Sequence, residues 1–404
     1  MPAPSMPRRR CRSLAPAALG VLLSGCLASG WPAARGTAPS QGLLREQDPG
    51  ETAVPPPQTT APATSAAPAK ETATSDALTR LEASAKAPPP AEGPAAGGAA
   101  PNPAGTPHLV NVAVADLRTQ PGTPPIPYSH DEFEETQVLY GEVVSVKQIQ
   151  GDWALVEAVE QPEFTHQQAW HGYPGWILRN DLRPQPRRYA PTVVITEKWA
   201  RVWADAQGTI PQLELPLGTR LPAEQLDRPL VQVRLADGSL GWVSRGAVEP
   251  LGELRKLSDA ARRQAVLRTA ELLVGDPYFW GGRSPYAGSR GPTVTGVDCS
   301  GLTNLAHRIA GLDIPRDAHE QYLRAKKVAQ PEPGDLVFLS EAGNPKKIVH
   351  VMLYAGGGWL FEAPGTGQTV RRIRVIERFG FPIEQYKPGD QVDGQTLSFG
   401  TYIR

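Results

Sequence analysis

Cysteine is scarce in this chain: three in 404 residues, Cys11, Cys26 and Cys299. The first two fall in a short N-terminal stretch with the character of a targeting signal. The folded part then holds one thiol and can close no internal disulfide. A lone thiol in an exported chain is a candidate nucleophile. A surplus of one charge is also lacking, since 41 Lys and Arg balance 41 Asp and Glu. That excludes the basic footprint of a nucleic-acid-binding domain. Histidine is sparse, at seven. No pair stands at metal-ligand spacing and no second cysteine lies near Cys299, so a zinc site is rejected and no cofactor is expected. The apolar run at residues 14–23 is too short to span a bilayer as a mature helix.

Proline and glycine are abundant, at 43 and 40, which predicts a structureless segment and many turns. Residues 1–26 read as an export signal: Arg8, Arg9, Arg10 and Arg12 precede the apolar run. Leu23-Ser24-Gly25-Cys26 resembles the lipobox of bacterial lipoproteins. The resemblance implies cleavage before Cys26, lipid on that cysteine, and an envelope protein anchored to a membrane, facing periplasm or exterior. An ordinary secretory signal is the alternative. Leu27 is compatible with outer-membrane sorting in a Gram-negative cell. Residues 27–107 are dominated by Pro, Ala, Thr, Ser and Gly, which predicts a disordered tether.

Residues 108–186 turn to strand patterns. Val110-Asn111-Val112-Ala113-Val114-Ala115 alternates, and Gly151-Asp152 marks a turn before Trp153-Ala154-Leu155-Val156. Residues 187–252 repeat the plan, with a turn at Asp237-Gly238. The two segments close alike, on Gly175-Trp176-Ile177 and Gly241-Trp242-Val243. This predicts two small all-β units, duplicated, and resembles a pair of bacterial SH3-like barrels. A generic β-sandwich is the alternative. From residue 255 to 404 the period changes. Ser258 caps an expected helix that stops at Gly275, and strands follow from Pro333 onward. Helices first and antiparallel strands after predict an α+β domain.

Asp298-Cys299-Ser300-Gly301 opens a run with helical spacing, which puts the Cys299 thiol at a helix start. Amide groups and the dipole there favour an anion. A buried structural cysteine is the plainer alternative. A nucleophile needs a base and the base an orienting partner. His350 lies in the apolar strand Ile348-Val349-His350-Val351. Glu362 lies in a second strand across Gly356-Gly357-Gly358. A turn centred on Gly356 sets His350 opposite Glu362. His307 and His319 are rival bases, but His307 is badly placed on the same helix, and His319 is expected in a wall.

Pro277-Tyr278-Phe279-Trp280-Gly281-Gly282, Asp298-Cys299-Ser300-Gly301, Ile314-Pro315-Arg316-Asp317, Pro333-Gly334-Asp335-Leu336-Val337-Phe338 and His350-Val351 occur in the order found in the NlpC/P60 cysteine peptidases. The resemblance covers about residues 258–404. It implies a papain-like α+β fold, with Cys299 as nucleophile and His350 as base. Glu362 stands where the family often carries histidine. Tyr278 resembles the tyrosine that helps hold the oxyanion. Asp298, Ser300, Arg316 and Asp317 match positions that shape the substrate pocket, and Ala318 stands where relatives often carry serine. With SH3-like units in front, the chain is similar to the γ-D-glutamyl-L-diamino-acid endopeptidases of that family. They cleave cell-wall stem peptides and read a free N-terminal L-Ala. Glu135 is then expected to bind the substrate ammonium, with Tyr173 shaping its pocket. The expected partners are peptidoglycan stem peptides or muropeptides, and a membrane through lipid on Cys26. Two other readings stay open: an amidase or acyltransferase using the same Cys–His pair, and a wall-binding module with an inactive peptidase domain.

Overall fold

Alternating burial builds the first module. The strand Trp153–Glu163 hides every second residue over most of its length, as a pleated strand with one face in a core must. The computed structural model describes residues 105–288, 290 and 293–404. The expected signal segment, Cys26, and the expected tether up to residue 104 lie outside the described residues. The first strand, Thr106–Val110, begins inside the segment expected as tether.

Seven antiparallel strands form this module, in the order Glu134–Leu139, Val114–Arg118, His171–Leu178, Trp153–Glu163, Val143–Gln150, Thr106–Val110, Leu182–Pro184. Val110, Leu117, Val138, Val144, Val156 and Ile177 fill its core. Gly151, at φ +58°, makes the turn expected with Asp152. The alternating run expected over residues 110–115 is interrupted. Thr106–Val110 pairs with Val143–Gln150, whereas Val114–Arg118 pairs with Glu134–Leu139, so the chain turns between them to reach a different neighbour.

The second module has a five-stranded and a three-stranded sheet around Val193, Ile195, Val202, Leu215, Val231 and Val243. In both modules the strand with the Gly-Trp ending runs into a single 3₁₀ turn, Arg179–Asp181 or Arg245–Ala247. A three-residue strand then follows, Leu182–Pro184 or Val248–Pro250. The repeated ending is therefore a repeated piece of backbone.

The third module opens on helices. Ser258 caps Asp259–Leu273, its hydroxyl accepting from the Ala261 amide at 3.3 Å. The helix Cys299–Ile309 is buried along its whole length. Behind it lies an antiparallel sheet in the order Lys326–Lys327, Gln395–Thr401, Leu336–Glu341, Asn344–Gly356, Trp359–Glu362, Arg371–Arg374. Leu336, Phe338, Val351, Leu353 and Phe361 face the helices. Their alternates Val337, Leu339, Met352, Tyr354 and Leu360 meet Val375, Phe379 and Phe399 on the other side. The Cys299 helix is thus pressed on a sheet that is itself covered, so Cys299 and His350 sit on rigid elements.

Candidate active site

The turn before the cysteine helix is locked by one carboxylate. Asp298 has extended backbone, and its Oδ1 accepts from the Gly301 amide at 2.6 Å, a side-chain cap on the new helix. Its Oδ2 accepts from the Gly281 amide at 3.1 Å. A Cβ on Gly301 would stand 2.1 Å from the Gly282 carbonyl, so only glycine lets the two turns meet. Arg316 closes the set. Its Nη2 donates to Asp298 Oδ2 at 2.8 Å, its Nη1 to Ser300 Oγ at 2.8 Å, and its Nε to Thr136 Oγ1 of the first module at 2.7 Å. Arg316 has no exposed surface and Ser300 has 4%. These expected pocket residues bond one another and so hold the turn before Cys299.

The Cys299 thiol lies close enough to His350 to raise its pKa, and the ring's Nε2 lies 3.1 Å from Glu362 Oε1. The route to this contact differs from the expected register. The three glycines take φ of +84°, +57° and +77°, and the tight turn is Gly357-Gly358, with a register shift after Tyr354. Leu353 pairs with Phe361, so Met352, not His350, is carried opposite Glu362. His350 is the diagonal neighbour on the same face, still within reach of a long side chain.

Glu362 is 1% exposed and carries more than the histidine. Arg371, its direct cross-strand partner, donates to Oε2 at 2.7 and 3.0 Å, and Arg378 donates to Oε1 at 2.9 Å. Burial works against the carboxylate charge, but His350 and Arg378 outweigh it and hold the group down at about 2. Burial likewise works against a charged imidazole. Cys299 and Glu362 outweigh it and hold His350 up at about 9. The ring is therefore poised to carry a proton at neutral pH. The pair is not sealed: Cys299 keeps 8% of its surface and the His350 side chain 15%.

Tyr278 stands beside the thiol. Burial, then the charges of Cys299 and Asp298, push its phenol well above the ordinary range, so it stays a donor. The rival histidines are engaged elsewhere. His307 is fully buried, its Nδ1 bonded to the Thr303 carbonyl at 2.8 Å, and burial pushes it down to about 4. His319 accepts the Ile348 amide at 3.3 Å and so anchors the histidine strand.

The first module brings Glu135 and Tyr173 to the same region. The Tyr173 hydroxyl meets Asp317 Oδ2 at 2.9 Å and Glu135 Oε2 at 3.2 Å. Asp317 keeps 36% of its side chain in contact with solvent, and burial of the rest pushes it up to about 7. The module is bolted in place by buried charges. Arg283 Nη1 donates to Glu142 at 2.8 Å, and Arg308 reaches Glu160 at 2.8 Å. Gln137 Oε1 accepts from the Arg283 amide and the Ser284 hydroxyl. A cavity of about 820 Å³ lies apart from this cluster, walled by Trp153 and Trp199.

Sequence reasoning missed Arg371, Arg378 and His166. The arginines are read only from a strand pairing and a short helix that local pattern does not reveal. His166 sits in the extra residues between Trp153 and Tyr173, beside Glu163 at 3.1 Å.

Residues 275–381 match the sequence profile of the NlpC/P60 family. The gamma-D-glutamyl-L-lysine dipeptidyl-peptidase of Bacillus subtilis is 29% identical over 249 residues, 61% of this chain and 78% of that protein. The peptidoglycan endopeptidase RipB of Mycobacterium tuberculosis is 37% identical over 124 residues, 28% of this chain and 50% of that one. The crystal structure of an NlpC/P60 family protein from Bacillus cereus superposes with a TM-score of 0.58 at 23% identity. It covers 74% of this chain and all of that one, and shares the fold. Residues 275–381 are an NlpC/P60 family domain.

Proposed function

We propose that this protein is a cysteine endopeptidase that hydrolyses the bond between γ-D-Glu and the diamino acid of peptidoglycan stem peptides, taking peptides with a free N-terminal L-Ala. The observation that carries the reading is the imidazole of His350 set between the Cys299 thiol and the buried Glu362 carboxylate. The names of its relatives support a cell-wall peptidase.

The chemistry follows from the positions. Cys299 sulfur, as thiolate, attacks the γ-carbonyl of D-Glu, and the carbonyl oxygen takes the charge. Tyr278 and the Cys299 amide are the donors offered to that oxygen. His350, carrying the proton, gives it to the departing amine as the C–N bond breaks and the thioester forms. Water, deprotonated by the now neutral ring, cleaves the thioester and returns the thiol. Glu362 holds the ring's tautomer and stabilises its charge throughout. Glu135, with Tyr173 and Asp317, offers a half-enclosed acidic site for the ammonium of L-Ala. An acylated amine would bring no positive charge to that acidic group. The two β modules are read as SH3-like units, and Cys26 as the lipid attachment point of an envelope protein.

Incubating purified protein with L-Ala-γ-D-Glu-diaminopimelate and separating the products tests this. The expected result is release of diaminopimelate by wild type and none by Cys299→Ala. Intact tripeptide with wild type, or equal release by both, refutes the reading. An amidase or acyltransferase would give products of different mass.

A further inference from the structure

The residues inserted before Tyr173 put a histidine on the acidic site. His166 Nε2 lies 3.5 Å from Glu135 Oε2, and its ring stands edge-on to Tyr173, 5.4 Å between centroids. The rest of His166 is tied elsewhere: its amide donates to Glu163 Oε1 at 2.9 Å, and its Nδ1 lies 3.1 Å from the same atom. The loop is docked on the peptidase domain. Thr165 donates to the buried Glu320, and Arg324 lies 3.6 Å over the Trp170 ring. The groups around the imidazole are mostly acidic: Glu135 and Glu163 on the first module, Asp317 and Glu320 at the start of helix Ala318–Arg324. His171 and Arg316 stand behind them. Burial works against its charge, but Glu135 and Glu163 outweigh it and hold His166 up at about 10.

We propose that His166 is a specificity-determining residue, whose imidazole caps Glu135 in the empty enzyme as a stand-in for the substrate ammonium and gives up the carboxylate when that ammonium binds. The inference rests on the free-amine reading of Glu135 above. At 3.5 Å the imidazole–carboxylate contact is longer than the 2.7–2.9 Å typical of a charge-assisted bond, so it is a loose partner. A primary ammonium has three donors and can reach Glu135, Asp317 and the Tyr173 oxygen together. The His166 side chain is 35% exposed, so it can swing toward water without burying its charge, while Thr165 and Trp170 keep the loop docked. While present, its positive charge opposes the incoming one.

Steady-state kinetics on L-Ala-γ-D-Glu-diaminopimelate and its N-acetylated form test this with wild type, His166→Gln and His166→Lys. His166→Gln should lower KM for the free-amine peptide about tenfold, the effect of removing one nearby, partly screened charge. Its kcat, and KM for the acetylated peptide, should not change. His166→Lys restores a cation and should bring KM back to within about threefold of wild type. An unchanged or raised KM in His166→Gln, or an equal shift for both peptides, overturns the proposal. So does loss of cooperative melting in His166→Gln, which would make the residue a structural clamp. If wild type itself treats both peptides alike, the amine site is wrong, and this proposal falls with it for a separate reason.

Discussion

Replacing Glu362 by Gln keeps the shape of the side chain and removes its charge. The wild-type carboxylate lies 3.1 Å from His350 Nε2 and neutralises Arg371 and Arg378. The arginine side chains are 40% and 23% exposed, so they can rehydrate and the variant should fold. Their charges then act on His350 unopposed. A hydrogen bond to a charged partner contributes about 1.5–3 kcal/mol, roughly one to two pKa units. The imidazole should therefore fall from about 9 toward its ordinary range. In a pH profile of kcat/KM, wild type should lose activity as pH rises through about 9, where the ring gives up the proton it owes the leaving amine. In Glu362→Gln that limb should move down by about one to two units, with kcat/KM at neutral pH lower by roughly ten- to 150-fold. Replacing Arg371 and Arg378 together by Met should move the limb the opposite way, because Glu362 then serves the imidazole alone. A Glu362→Gln profile that superposes on wild type refutes the argument. Stability carries a second signature. Glu362 is held down at about 2, so it stabilises the fold above its unfolded pKa of about 4.3, and that contribution is lost as pH falls toward 2. The variant should lack this dependence in acid melts.

Tyr278→Phe should lower kcat about 10²- to 10³-fold with little change in KM, the signature of a donor used in the transition state. Arg316→Met leaves Asp298 buried without its partner. It should cost about 3–5 kcal/mol and lower Tm by roughly 10 °C, read by calorimetry. Glu135→Gln should raise KM for the free-amine tripeptide while leaving the acetylated one unaffected, checked in the same kinetic assay. Equal effects on both peptides would remove Glu135 from substrate recognition.

The site was legible where chemistry and local pattern coincide. A cysteine after a capping aspartate, a histidine inside an apolar strand and a glutamate past three glycines each stand out in a short window. The exact pairing did not, because a register shift near Ala355 moves the strand by a distance no periodicity records. The contact survived because a glutamate one pleat away still spans the gap. Asp298, Ser300 and Arg316 were expected in the substrate pocket, and that they also bond one another was not legible. Which way a polar side chain points depends on elements far away in the chain, such as Thr136. The same holds for Arg371 and Arg378. In the β modules the turns at Gly151 and Gly238 were readable from their residues. The break between Val110 and Val114 was not, since alternation continues through it while the pairing partner changes.

The central claim is that Cys299 opens the γ-D-Glu–diamino-acid bond and that water closes the cycle. The most direct measurement is mass spectrometry of the products formed in water enriched with oxygen-18. The account predicts L-Ala-D-Glu carrying one labelled oxygen and diaminopimelate carrying none, with no turnover by Cys299→Ala. Label in the diaminopimelate, a cut at another bond, or the same products from the cysteine variant would contradict it.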